Sequence, residues 1–230
     1  MKKMNDKNSI LDDLLGEEKI FSSNEEEDSV LQPMLDEINL IQDQSIKSFV
    51  RSILLQAKTF WIIPSSFSGK YHPSDEHNSS GNMLHTKRVV RAAKVLSDSY
   101  TLGTSERDLV YAACLLHDVT KGVCSNGDSD DSSFVYDPLH PYTVGMLVKK
   151  CQENDKKYAS ESSSSTLYVD EDTVQAILRL VRCHLGPWSP VPETTPVTYL
   201  DTIVHLADNI ASKVHYVVDG DNVIEDRWKF

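Results

Sequence analysis

The stretch CLLHDVTKGV, residues 114–123, closes an apolar run with an imidazole, a carboxylate and an amine. His117 and Asp118 are adjacent, and Lys121 follows three residues on. The preceding DLVYAACLL is apolar on nearly every side, which predicts a buried helix from about Asp108 that delivers these side chains into the interior. A buried carboxylate without a partner either costs several kcal/mol or gives up its charge. A divalent cation resolves that conflict, because imidazole and carboxylate both ligate Zn, Mn, Fe and related ions. Two ligands are not a site, and four further candidates lie at expected helix ends or inner faces: His85, His140, His184 and Asp208. Taken singly, a histidine is more often an ordinary core or surface residue than a ligand. Asp208 alone suits a helix cap or an arginine partner equally well.

The elements that must position these groups are helical. Residues 1–28 read as a flexible acidic leader, with one short helix around Ile10–Leu15 and the run Glu25-Glu26-Glu27-Asp28 as a solvated tail. Leu31, Leu35, Ile38 and Ile41 recur at helical spacing, and Ile46, Phe49, Val50, Ile53 and Leu54 continue a second amphipathic stretch that Pro64 ends. SSFSGKYHPSDEHNSSGN is a loop of turn-forming residues. A third helix is expected over 83–100, with Leu84, Val89, Val90, Ala93 and Leu96 inward and His85 in its first turn. The fourth starts with Ser105 as N-cap and Asp108 at N3, and ends near His117. GVCSNGDSDDSSFVYDP is loop again.

His140-Pro141 opens a fifth helix, with proline at its favoured first position. A Ser-rich segment over about 156–168 reads as flexible. A sixth helix runs over 171–184 and stops before Gly186-Pro187. The seventh begins near Pro196 and carries Leu200, Ile203, Val204, Ala207, Ile210, Ala211 and Val214 on one face. Only VHYVVDGDNVI suggests strands, as a hairpin around Asp219-Gly220. The expectation is an all-α helical bundle over 29–218 with a C-terminal tail over 219–230.

Composition narrows the function classes. At 40% hydrophobic and 25% charged, the 230 residues suit an ordinary globular domain. No apolar stretch approaches the roughly 18 residues of a membrane span, and no secretory signal is evident, so no membrane partner and a cytoplasmic address are expected. Cys114, Cys124, Cys151 and Cys183 form no CxxC pair, which leaves a zinc finger unsupported. A net charge of −12 argues against a surface for long duplex nucleic acid.

The ordered set His85 in GNMLHTKRVVRAA, His117-Asp118 and Lys121 in LLHDVTKG, His140 in LHPYTVG, His184 in VRCHLG and Asp208 in VHLADNIASK resembles the HD-domain superfamily of metal-dependent phosphohydrolases. The resemblance spans about residues 46–213 and implies an HD-domain helical bundle. It implies that His85, His117, Asp118 and Asp208 hold one metal. His140 and His184 match the extra histidines of two-metal members, in which Asp118 bridges. The cofactors implied are two divalent ions drawn from Mn, Mg, Fe, Co and Zn.

The activity implied is hydrolysis of a phosphoester in a small phosphorylated substrate such as a nucleotide or short oligonucleotide, with Asp118 and Lys121 catalytic. Lys121 is placed to meet a non-bridging phosphate oxygen as a point charge. Lys70 and His72, in the loop before His85, are candidates for the substrate side. That loop, FWIIPSSFSGKYHPSDE, is also similar to an HD subgroup of prokaryotes and their viruses. The chain further resembles the HD domain of bacterial 3′-to-5′ exoribonucleases, although their oligonucleotide-binding domain has no counterpart in this sequence. The alternatives are such an exonuclease, an HD-fold di-iron oxygenase, and a non-catalytic metal-containing nucleotide-binding module. His77, His205 and His215 gain no role from the resemblance.

Overall fold

The computed structural model describes residues 24–124, 134–159, 169–191, 194–213, 216–219 and 222–225. The expected leader helix around residues 10–15, most of the Ser-rich segment and the last five residues lie outside them. Helix α1, Asn24–Leu31, carries Glu25, Glu26 and Glu27 in its first turn, where the helix dipole favours negative charge. The acidic run is therefore helical, with Glu25, Glu26 and Asp28 exposed as a solvated segment would be, and the Arg51 guanidinium meets Asp28 at 2.8 Å and Glu27 at 3.4 Å. A 3-10 turn at Gln32–Met34, set by Pro33, leads into the short α2, Leu35–Ile38.

Helix α3, Gln44–Gln56, is capped by Asp43, whose carboxylate accepts from Ser45 N at 2.8 Å and Ile46 N at 3.1 Å. It ends at Gln56, well before Pro64. The chain then turns through a 3-10 segment, Thr59–Trp61, with Trp61 Nε1 donating back to Leu54 O at 3.1 Å.

Helix α4, Gly81–Ser99, carries His85, Arg88 and Arg91 on buried positions. Helix α5, Thr104–Leu116, begins one residue after Gly103, whose N–H donates to Glu106 Oε2 at 2.9 Å. Gly103, not Ser105, is the N-cap. Asp108 accordingly sits inside the helix, where its two oxygens accept from Gln42 N and Asp43 N at 2.9 Å each. That pair of bonds ties the start of α3 to α5. From Val110 to Leu116 every α5 side chain is buried, because α3, α4, α7 and α8 surround it. Burial at this depth contributes about 1.5–3 kcal/mol for each Leu or Val, so Leu115→Ala would cost roughly 2–5 kcal/mol.

After α5 the chain makes β1, Gly122–Cys124, which pairs antiparallel with β2, Phe134–Tyr136, in the register Gly122↔Tyr136. This small ladder falls inside a segment expected as loop. Helix α6 is His140–Ala159, with Pro141 in its first turn, so residues 156–159 of the expected Ser-rich loop are helical. Helix α7, Glu171–Cys183, is capped by Asp170, and His184 is its C-cap residue. Helix α8 is Tyr199–Ala211. It starts three residues later than Pro196 because Thr198 and Asp201 form a reciprocal capping box. A hairpin follows where it was expected, β3 Tyr216–Asp219 and β4 Asn222–Glu225, with Asp219 opposite Asn222; β3 closes the expected helical domain and β4 lies in the expected C-terminal tail. Among the described residues no helix is long and apolar enough to cross a membrane.

Candidate metal centre

Five segments bring six side chains to one place: His85 from α4, His117 and Asp118 from the end of α5, His140 from the start of α6, His184 from the end of α7 and Asp208 from α8. They form two trios, His85–His117–Asp208 and Asp118–His140–His184, each with ligand-type atoms within 4.8 Å of one another. Asp118 joins the trios. Its Oδ2 lies 3.3 Å from His117 Nε2 and 3.9 Å from His85 Nε2, while Oδ1 lies 3.1 Å from His140 Nε2 and 3.7 Å from His184 Nε2. Asp208 Oδ1 sits 3.0 Å from His85 Nε2 and 3.8 Å from His117 Nε2. The four imidazoles and Asp118 are buried, whereas the Asp208 side chain is 18% exposed and marks the open side.

The imidazole tautomers follow from their second nitrogens. Nδ1 of His117, His140 and His184 each meets a backbone carbonyl three residues back, that of Cys114, Asp137 and Val181, at 2.7 Å. A carbonyl only accepts, so each Nδ1 carries a proton and each ring turns its Nε2, the nitrogen that can offer a lone pair, to the centre. Nε2 of His140 and His184 face one another at 3.2 Å, and His117 Nε2 is buried without a hydrogen-bond partner. Lone pairs aimed at each other and at two carboxylates are held apart from water here. A cation satisfies them, and nitrogen-and-oxygen donors of this kind suit a divalent transition metal. Each trio can hold one.

The electrostatics agree. Burial opposes charge on Asp118, but the His117 imidazole and the Lys121 ammonium, 2.6 Å from Oδ2, hold its carboxyl well below the usual range. Burial is likewise overridden at Asp208 by its bond to His85. His85 itself is lifted to about 9, against burial, by the carboxylates of Asp208 and Glu76. Burial and the neighbouring His117 push His184 down to about 3, which keeps it neutral.

Glu76, which the sequence reading passed over, supports this centre from behind. Its fully buried carboxylate accepts from Ser65 Oγ at 3.0 Å and meets His72 Nδ1 at 3.0 Å. It also lies 3.4 Å from His85 Nδ1. Arg88 Nη1 reaches its other oxygen at 2.5 Å. A carboxylate behind Nδ1 turns the Nε2 of His85 toward the centre. His72, Glu76 and His85 are close enough to form a third trio, but the Arg88 guanidinium already neutralises Glu76. Nothing periodic singles out Glu76 within its loop; only the fold carries it to His85.

The loop residues expected on the substrate side behave differently. His72 is half-buried, at φ 70°, with its ring edge-on to His85 at 4.4 Å, so it braces that ligand. His77 Nε2 donates toward Tyr71 O and His72 O at 3.1 and 3.2 Å and holds this left-handed turn. Lys70 is exposed, and the structure does not bring it to the cluster. His205 Nδ1 donates to His184 O at 2.7 Å. Its ring fills the place where a Cβ on Gly186, at φ 53°, would sit. His215 lies outside the described residues.

Known proteins carry similar sequences. The HD domain family matches residues 83–213, more than half of the chain. A curated relative, the 3′-5′ exoribonuclease YhaM of Shouchella clausii, is 26% identical over 187 residues, covering 79% of this chain and 53% of the relative. The chain thus spans about half the length of that relative. No solved structure matches. With the family's residues matched across α4 to α8 and its His and Asp side chains drawn to one buried centre, the chain belongs to the HD superfamily of metal-dependent phosphohydrolases.

Proposed function

We propose that the protein is a metal-dependent phosphohydrolase with a dinuclear centre, cleaving a phosphoester bond in a nucleotide or short oligonucleotide. The observation that carries this reading is Asp118, which presents one oxygen to each of two imidazole pairs. In this reading His85, His117, Asp118 and Asp208 hold one cation, and Asp118, His140 and His184 hold the second. Cations bound there would neutralise charge on the phosphoryl oxygens and lower the pKa of a water.

The chain's own residues do the rest. The backbone carbonyls behind His117, His140 and His184, and Glu76 behind His85, fix which nitrogen faces the centre. The Lys121 ammonium spends one N–H on Asp118 and has two more for a phosphoryl oxygen. Burial of five of the six ligands excludes bulk water and strengthens every charge interaction. The net charge of −12 favours a small substrate over long nucleic acid.

The relative's name supports a second reading, removal of nucleotides from a 3′ end. Elemental analysis and turnover of nucleotides and 5′-labelled oligonucleotides with Mn, Mg, Fe, Co or Zn test both. About two metal ions per chain and release of phosphate or nucleotide are expected, and Asp118→Ala should lower turnover by roughly 10³-fold, the scale of one lost preorganised partner. A ladder of 3′-shortened RNA would favour the exonuclease. No hydrolysis with any of these cations would defeat both.

A further inference from the structure

We infer that Tyr136 and Phe67 form an aromatic lip on which the nucleobase of the substrate stacks; this rests on the phosphohydrolase reading and narrows its substrate to a phosphate that carries a flat aromatic ring. Tyr136 is the last residue of β2 and pairs with Gly122, the residue after Lys121. Asp137 N donates to Lys121 O at 2.9 Å, which fixes the strand beside that lysine. The Tyr136 ring lies 5.6 Å from the ring of His140 and 6.3 Å from that of Phe67, tilted by 60° and 51°. It stands at the margin of the metal centre.

Two further features separate it from an ordinary core aromatic. Tyr136 is 39% exposed, and its hydroxyl makes no hydrogen bond among the described residues, so part of the ring is open for a ligand. Phe67 is held in place from behind. A Cβ on Gly122 would come within 2.9 Å of Ile63 and 3.1 Å of Phe67, so β1 packs directly onto both. The lip is preformed, which spares the ordering cost of a mobile contact. An aromatic ring beside a cation-binding centre suits the flat base of a nucleotide, while the phosphate goes to the centre. Every base has a π-face, so stacking of this kind tolerates any of them.

The test is calorimetric binding of adenosine 5′-monophosphate and of ribose 5-phosphate to the metal-loaded full chain. It uses the wild type, Tyr136→Phe, Tyr136→Ala and Phe67→Leu, each checked for metal content and thermal unfolding. The wild type should prefer the nucleotide. Tyr136→Ala should weaken nucleotide binding by roughly 5- to 100-fold and leave ribose phosphate unchanged, Phe67→Leu should lose part of the preference, and Tyr136→Phe should keep it. Equal binding of the two ligands, binding of neither, or a preference that survives Tyr136→Ala overturns the lip. Loss in Tyr136→Phe as large as in Tyr136→Ala overturns it too, since the hydroxyl and not the ring would then be at work. Hydrolysis without a base preference sinks the lip alone, and a base preference without hydrolysis sinks only the phosphohydrolase reading.

Discussion

Helix α4 passes through two buried polar clusters that differ in kind. Near its middle, Arg91 meets Glu37 of α2 at 3.0 Å, and Lys87 lies 3.7 Å from the same carboxylate. In this cluster a carboxylate faces two cations, although Glu37 Oε2 itself is buried without a hydrogen bond. Burial still prevails there and raises the Glu37 pKa against both cations. At the other cluster, nearer the start of the helix, His85 enters a set of four imidazoles and two carboxylates in which both aspartates are held low against burial. Nε2 atoms there face one another and His117 Nε2 has no partner. The first cluster sets a carboxylate against cations that the protein supplies; the second turns imidazole nitrogens toward one another and toward carboxylates, an arrangement that could hold a cation.

That contrast can be broken in several ways. Glu37→Ala strands Arg91 in the interior and should cost about 3–5 kcal/mol, read by urea unfolding, with metal content unchanged. Glu76→Gln, which weakens the support of His85, should lower metal affinity by roughly 10- to 100-fold in chelator competition while leaving the fold intact. A pH series on the metal-free protein addresses the charge on His85. Its folded pKa is raised from 6.5 to about 9, so its contribution is present in full below pH 6.5 and is lost as pH rises through about 9. The loss should be of the order of 3 kcal/mol and should vanish in His85→Gln. The smallest effect has the opposite sign to the first. His184→Leu removes one of the two facing nitrogens and should stabilise the metal-free protein by about 0.5–2 kcal/mol while reducing metal content. A destabilised His184→Leu protein would show that the centre, too, supports the fold without a cation.

The helices that carry the centre were legible because each one buries a single face. The spacing of Leu84, Val89, Val90 and Ala93 places α4 within two residues of its observed start, and Leu200, Ile203, Val204 and Ala207 do the same for the body of α8. Helix starts were less legible, because caps depend on which backbone N–H finds an acceptor. Ser105 is a good N-cap by type, yet Glu106 reaches back to Gly103 and Asp108 is drawn off to α3. The loop between α3 and α4 was least legible. His72, Glu76 and Lys70 sit within seven residues of one another, and one braces His85, one anchors that brace, and one faces solvent.

By itself the sequence determined an all-α chain, since apolar periodicity fixes inner faces; it offered six candidate side chains at helix ends and inner faces, which became a set only through their resemblance to the HD superfamily. Only the tertiary structure decided that Asp118 stands between the two trios, which nitrogen each imidazole presents, and that Glu76 lies behind His85 and Tyr136 beside His140. Those facts depend on distances between segments far apart in the chain, and packing sets such distances while residue spacing does not.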